Sequence, residues 1–296
     1  MSITRVLQPY VCCLGNPVAG NPTQFVMYRA ARNSGADWRF FTSQVAVDQF
    51  EIAFRGVQAL GLDGVAILDP FQETAIPLLE SVTESALSLG RVNVARSDGN
   101  SWLGDNTLGT AICNCIEAKT TPQGSIAPVI VIGNPQVAKA VRLASPLFSQ
   151  ATIALQYSNA NGSTTNKTPA ITQESDTVAE TQPHAASDTL SSETLDDYCD
   201  RDGRVGSLVF CELPTPAQLK RLIPLKQVEN ACCILLGSHS EKQLRPIREW
   251  LTTKSIRFVE PVDFMAFQSA ADFHFWTGIW PSVEQIRDSL EEYLQW

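Results

Sequence analysis

Positive charge is scarce in this chain. Its 22 Lys and Arg stand against 31 Asp and Glu, for a formal net charge of −9 over 296 residues, and no block of Lys or Arg rises above a solvated helix face. A phosphate backbone is gripped by a basic footprint, so nucleic acid and an anionic membrane surface are excluded as partners. Histidine is scarcer still: His184, His239 and His274 are scattered without ligand spacing, and none of the eight cysteines forms a CxxC pair. No metal is therefore expected. Most cysteines sit in apolar runs such as VCCLG and ACCILL, where a thiol behaves as a small core residue. No window approaches the ~20 apolar residues of a membrane span, and MSITRVLQPY lacks a charged segment followed by a long apolar run. The expectation is a soluble, cytoplasmic protein.

What is present is ordinary globular material. Apolar residues make up 44% of the chain, enough for a sizeable core, and the length suggests two domains of about 100–150 residues. From residue 9 to 135 short apolar strands alternate with amphipathic helices. RVLQPYVCCLG is a strand ending in Gly15; PTQFVMYRAARNSG is a helix stopped by Gly35. DWRFFTSQV, VDQFEIAFRGVQALG and GVAIL continue as strand, helix and strand. The stretch TAIPLLESVTESALSLG reads as one helix, RVNVARS as a strand, and a further helix begins near Asn106 after a DG turn. Such alternation predicts an α/β fold on a largely parallel sheet.

A second unit opens at APVIVIGNPQVAKAVRLAS, a strand, a turn and a helix, followed by the strand ATIALQY; this is the geometry of a mononucleotide-binding βαβ unit. From residue 158 to 203 the chain turns rich in Ser, Thr, Asn, Asp and Glu. Such a stretch cannot bury enough apolar surface to offset its ordering entropy and is expected to be a mobile polar insertion. Strand and helix then resume through GSLVFCELP, PAQLKRLIPL, NACCILLG, EKQLRPIREWLTT and SIRFVEP, and two helical stretches close the chain.

Several of these segments carry a family likeness. GNPVAGNPTQF stands where the shikimate dehydrogenase family has GNP-x-x-H-Ser-x-Ser-Pro, RVNVARSDGNSWLGDNTLG where it has A-V-N-T, a D-G turn and G-D-N-T-D-G, and FMAFQSAADFHFWTG resembles its closing M-L-x-x-Q-x-x-x-x-F-x-x-W-T-G run. The chain thus resembles the shikimate dehydrogenase family at both ends and in order. The resemblance implies a two-domain α/β protein: an N-terminal α/β substrate-binding domain, residues 1–108 together with 264–296, and a Rossmann-like domain, residues 109–263, that contains the 158–203 insertion. It also implies NADP as a possible cofactor and a small polyhydroxylated carboxylic acid as ligand, in aromatic amino acid biosynthesis.

Position by position, the resemblance places Asp105 at the family's catalytic Asp, Asn93 at a substrate-binding Asn and Gln268 at the C-terminal substrate-binding Gln. Thr23 and Asn21 replace the two Ser of Ser-x-Ser; Thr keeps a hydroxyl donor and Asn offers an amide. Aligned on Pro70, GVAILDPFQE puts Gln72 at the catalytic Lys. Gln can hydrogen-bond but cannot pass a proton near neutral pH, and general acid–base catalysis contributes on the order of 10²–10⁴ in rate. In the dinucleotide turn GNPQVAKA, Gly133 persists with Asn134, but Pro135 and Gln136 stand where glycines let a backbone approach the pyrophosphate; these cofactor-binding positions are degraded. Each retained residue also has an ordinary role, since G-D-N-T is a good turn and cap sequence. Three functions stay open: a shikimate dehydrogenase-like pseudoenzyme with lost or strongly reduced reduction of 3-dehydroshikimate, an active shikimate- or quinate-type oxidoreductase of altered specificity, and a non-catalytic scaffold or regulatory subunit tethered through the insertion.

Overall fold

A computed structural model of the protein describes residues 8–120, 127–156, 193–194, 198, 204–222 and 224–295. The first half of the chain builds a six-stranded sheet from β1 (Tyr10–Gly15), β2 (Arg39–Gln44), β3 (Gly64–Ile67), β4 (Ser81–Val82), β5 (Val94–Ser97) and β6 (Trp102–Asp105), in the order β2-β1-β3-β5-β6-β4. Helices α1 (Thr23–Asn33), α2 (Phe50–Ala59) and α3 (Glu84–Leu89) lie between its strands in sequence. β1 is apolar and buried from Val11 to Gly15, as expected of a strand covered on both faces, and it pairs in parallel with β2 and β3.

Two sequence expectations need correcting here. The sheet is less parallel than the alternation implied, because β5 runs antiparallel to both β3 and β6. Asp98 closes that β5–β6 hairpin by accepting the backbone N–H groups of Asn100 and Ser101 at 2.9 and 2.8 Å, and SWLGD, left unassigned in the sequence, becomes its second arm. The stretch read as one helix over residues 74–90 is broken: Ile76–Leu78 is a 3₁₀ turn, Ser81–Val82 pairs with β6, and only α3 is α-helical. Thr83 causes the late start, its hydroxyl capping α3 by accepting Ala86 N–H at 3.3 Å, the ordinary preference of Thr for an N-cap.

Helix α4 (Leu108–Lys119) leads to a second six-stranded sheet. Its strands are β7 (Val129–Ile132), β8 (Thr152–Gln156), β9 (Glu193–Thr194), β10 (Arg204–Phe210), β11 (Lys226–Leu235) and β12 (Arg257–Phe258), with helices α5 (Pro135–Ala144), α6 (Pro216–Arg221) and α7 (Glu241–Thr253) between them. All pairings are parallel, in the order β12-β11-β10-β7-β8-β9. Numbered from β7 and read from the β9 edge, that is 3-2-1-4-5-6, the Rossmann order, whose switch point lies between β7 and β10. Most of the 158–203 insertion lies outside the described residues, but Glu193–Thr194 adds β9 to the sheet edge. Tyr198 is buried among Ile130, Leu155 and Phe210, its hydroxyl donating to the Arg204 carbonyl.

The chain ends in α8 (Pro261–Thr277) and α9 (Val283–Leu294). α8 serves both sheets: Phe267 and Ala271 join the core under the second, while Ala266, Ala270, Phe273 and Trp276 join the core under the first. α4 and α5 approach so closely that a Cβ on Gly109 would sit 2.3 Å from the Ala140 carbonyl oxygen. The seven described cysteines, all but Cys199, are free thiols, six of them buried. Among the described residues no helix is long and apolar enough to cross a membrane.

Candidate functional site

The polar residues of the first sheet converge where β6, the start of α4 and the inner face of α8 meet. Asn93, just ahead of β5, is fixed by its backbone: its N–H donates to the Asp105 carbonyl at 3.0 Å and its carbonyl accepts Ile67 N–H at 2.8 Å. Its side chain is engaged as well, with one lone pair of Oδ1 left over. Nδ2 donates to the Thr107 hydroxyl at 2.9 Å and to Asp272 Oδ1 at 3.1 Å, and Oδ1 accepts Thr107 N–H at 3.0 Å. Thr107 stands at the N-cap position of α4 without using its hydroxyl as a cap; the hydroxyl donates instead to Asp272 Oδ1 and accepts from Gln268 Nε2. Gln268 and Asp272 are four residues apart on α8, hence neighbours on one helix face, and Gln268 Nε2 also reaches Asp272 Oδ1 at 3.2 Å.

Asp272 is the electrostatic centre of this cluster. Burial pushes its carboxyl up to about 6; hydrogen bonds from Thr107, Gln268 and Asn93 counter part of that rise, and the Asp105 charge adds to it. Asp105 itself accepts the Thr83 hydroxyl and Asn106 N–H, the latter at 2.7 Å. Asn106 is buried and braces the site from behind, its amide donating to the Arg91 carbonyl at 3.0 Å.

The structure therefore brings Asn93, Asp105 and Gln268 together with two residues not singled out in the sequence, Thr107 and Asp272. Thr107 follows Asp105 closely in G-D-N-T, and Asp272 was legible as the polar position one helical turn beyond Gln268. Asn21 and Thr23 occupy the start of α1, where Asn21 Oδ1 accepts Thr23 N–H at 3.0 Å. Thr23 neighbours the Cys13 thiol of β1, which burial holds neutral with its pKa pushed up to about 12 and which in turn senses Asp272.

Gln72 does not join the cluster. Its Nε2 turns back to the Ile67 carbonyl at 3.1 Å while its own backbone carbonyl holds Val92 N–H at 2.9 Å. The positive charge on this flank belongs to Arg91, which pairs with the exposed Asp69.

At the switch point of the second sheet, Gly133 adopts a φ of +111°, a conformation glycine takes at little steric cost. The turn then caps itself. Asn134 Oδ1 accepts Gln136 N–H at 2.9 Å, and Pro135 occupies the first helical position. A pyrophosphate seated on a helix start needs free N–H groups there; Pro135 has none and that of Gln136 is taken, so this turn does not fit the group. Among the described residues no cluster of His, Cys, Asp and Glu could hold a metal ion.

The shikimate dehydrogenase substrate binding domain matches residues 13–95. The shikimate dehydrogenase (NADP(+)) of Methanothermobacter thermautotrophicus is 28% identical over 141 residues, 47% of this chain and 50% of that protein, so the chain matches about half the length of that relative. The shikimate dehydrogenase (NADP(+)) of Geobacillus kaustophilus is 25% identical over 289 residues, 95% of this chain and 97% of the relative. The shikimate 5-dehydrogenase of Thermus thermophilus, solved in complex with shikimate, superposes with a TM-score of 0.66 at 17% identity, covering 98% of this chain and all of that one, and so shares the fold. With the substrate-domain match at its N-terminus, a relative aligned along nearly its whole length and a common two-domain α/β architecture, the chain is similar to shikimate dehydrogenases in sequence and in fold.

Proposed function

We propose that this protein is a shikimate dehydrogenase-like pseudoenzyme: it keeps a partial pocket for a small polyhydroxylated carboxylic acid of the shikimate kind and has lost, or nearly lost, NADP-linked reduction of 3-dehydroshikimate. The observation that carries this reading is the state of Gln72, an amide that cannot ionise and whose Nε2 turns away onto the Ile67 carbonyl at 3.1 Å. Without a proton-transferring group at that point the step loses on the order of 10²–10⁴ in rate. The self-capped turn at Asn134 and Pro135 supports the same reading from the cofactor side. The domain limits that go with it are 1–108 with 264–296 for the ligand domain and 109–263 for the Rossmann-like domain. Ligand roles fall to Asn21, Thr23, Asn93, Asp105 and Gln268.

A second reading, an active oxidoreductase of altered specificity, is favoured by one feature: Asp272, raised to about 6, lies in the range suited to a general base near neutral pH. A steady-state assay separates the two. Purified protein given 3-dehydroshikimate and NADPH should show turnover indistinguishable from background, and rates in the ordinary enzymatic range of about 1–10³ s⁻¹ would overturn the pseudoenzyme reading.

A further inference from the structure

Among the described residues, every hydrogen bond that Asp272 receives falls on a single oxygen. Thr107 Oγ1, Asn93 Nδ2 and Gln268 Nε2 all converge on Oδ1, which pins the carboxylate and leaves Oδ2 with its acceptor capacity unused. A pinned carboxylate with one open oxygen is arranged to receive a hydrogen from outside the cluster. Among the described residues Asp272 makes no ion pair, and the titratable groups facing it are the Asp105 carboxylate from the end of β6 and the neutral Cys13 thiol from β1; from α4 and its own helix it meets only Thr107 and Gln268. Nothing in that shell offsets a second negative charge.

The location makes this consequential. Cys13 has Thr23 as a neighbour and also senses Asp272, so the anion and the start of α1, where Asn21 and Thr23 replace the paired serines that the resemblance assigns to the ligand, flank the same thiol. Two carboxylates sharing one site cannot both ionise without a large penalty. A ligand that brings a hydroxyl or ammonium hydrogen satisfies Oδ2 directly; one that brings a carboxylate must be accompanied by a proton.

We propose that Asp272 sets the specificity of the cleft: Oδ2 accepts a hydroxyl or ammonium hydrogen of a small polyol, and a carboxylate-bearing ligand binds only with uptake of one proton from solvent onto Asp272. This rests on the reading above that the cleft holds a polyhydroxylated ligand, and it names the charge class the cleft prefers at neutral pH, uncharged or amino-substituted over acidic.

The test is isothermal titration calorimetry of the full chain with shikimate and with shikimate methyl ester, which keeps the ring and removes the charge, from pH 5 to 8. For wild-type protein the shikimate Kd should rise about tenfold per pH unit above pH 6, with heats in buffers of different ionisation enthalpy reporting uptake of one proton per ligand at pH 7–8. The ester Kd should stay flat. In Asp272→Asn the shikimate Kd should become pH-independent. Shikimate binding that is pH-independent in wild type, or that takes up no proton, overturns the proposal while leaving the pocket reading intact. If neither compound binds at any pH, the pocket reading falls and this proposal with it. The proton count on wild type decides the matter even if Asp272→Asn does not fold.

Discussion

The side-chain oxygen of Asn134 lies 2.9 Å from the backbone nitrogen of Gln136 and accepts its hydrogen. With Pro135 between them, α5 begins with its first donors absent or used. NADPH is therefore expected to give no thermal shift, whereas a ligand bound at 100 times its Kd would add about 2.7 kcal/mol. Removing the cap has an independent signature: Asn134→Ala should cost about 1 kcal/mol in urea unfolding.

Restoring the missing cation should achieve little. In Gln72→Lys, turnover of 3-dehydroshikimate is expected to rise less than tenfold, because the cofactor turn remains capped. A gain approaching the 10²–10⁴ typical of general acid–base catalysis would show that the lysine alone had been lacking.

Gly109 allows α4 and α5 to touch. A methyl group there would meet the Ala140 carbonyl oxygen at 2.3 Å, against backbone that cannot swing away. Gly109→Ala should destabilise the fold by about 1–3 kcal/mol, the usual range for overpacking, read as a lower urea midpoint at unchanged slope.

Asp272 should also leave a mark on stability against pH. Burial lifts its carboxyl from the ordinary 3.8 to about 6, so the folded state holds this proton more tightly than the unfolded state. Its contribution to stability is greatest below pH 3.8, declines as pH rises towards 6 and is flat beyond. The decline is at most about 1.4 kcal/mol per pH unit. Other carboxylates oppose it; Asp98, held low by the N–H groups of Asn100 and Ser101, loses stabilising contacts as pH falls. The measurement is thus the difference between wild type and Asp272→Asn, which should change between pH 4 and 6 and stay constant from 6.5 to 8.

Much of the frame was legible because apolar runs and helical spacing are local signals. VCCLG, GVAIL and APVIVI became β1, β3 and β7; the parallel pairing of the second sheet followed from the alternation after residue 127, and its Rossmann-like form from the family resemblance. β6 was missed because SWLGD is short and half polar; only its partner across the Asp98 turn makes it a strand. The helix assigned over residues 74–90 failed for a similar reason: Thr83 favours capping over continuing, and Ser81–Val82 has an edge to pair with. Within the proposed site, Asn93, Asp105 and Gln268 were singled out by family order, but what they bond was not legible. The amides of Asn93 and Gln268 are turned on Asp272, a contact between residues 179 apart in the case of Asn93, which no spacing rule reports.

One helix, α8, contributes side chains to the hydrophobic interior beneath each sheet. Neither half can lose its packing without stripping that shared segment, so heating should melt the molecule in one calorimetric transition rather than two. Amide hydrogens from Ala266 to Phe273 should be among the last to exchange with deuterium. Any rocking of the two halves must then move the same segment that carries Gln268 and Asp272.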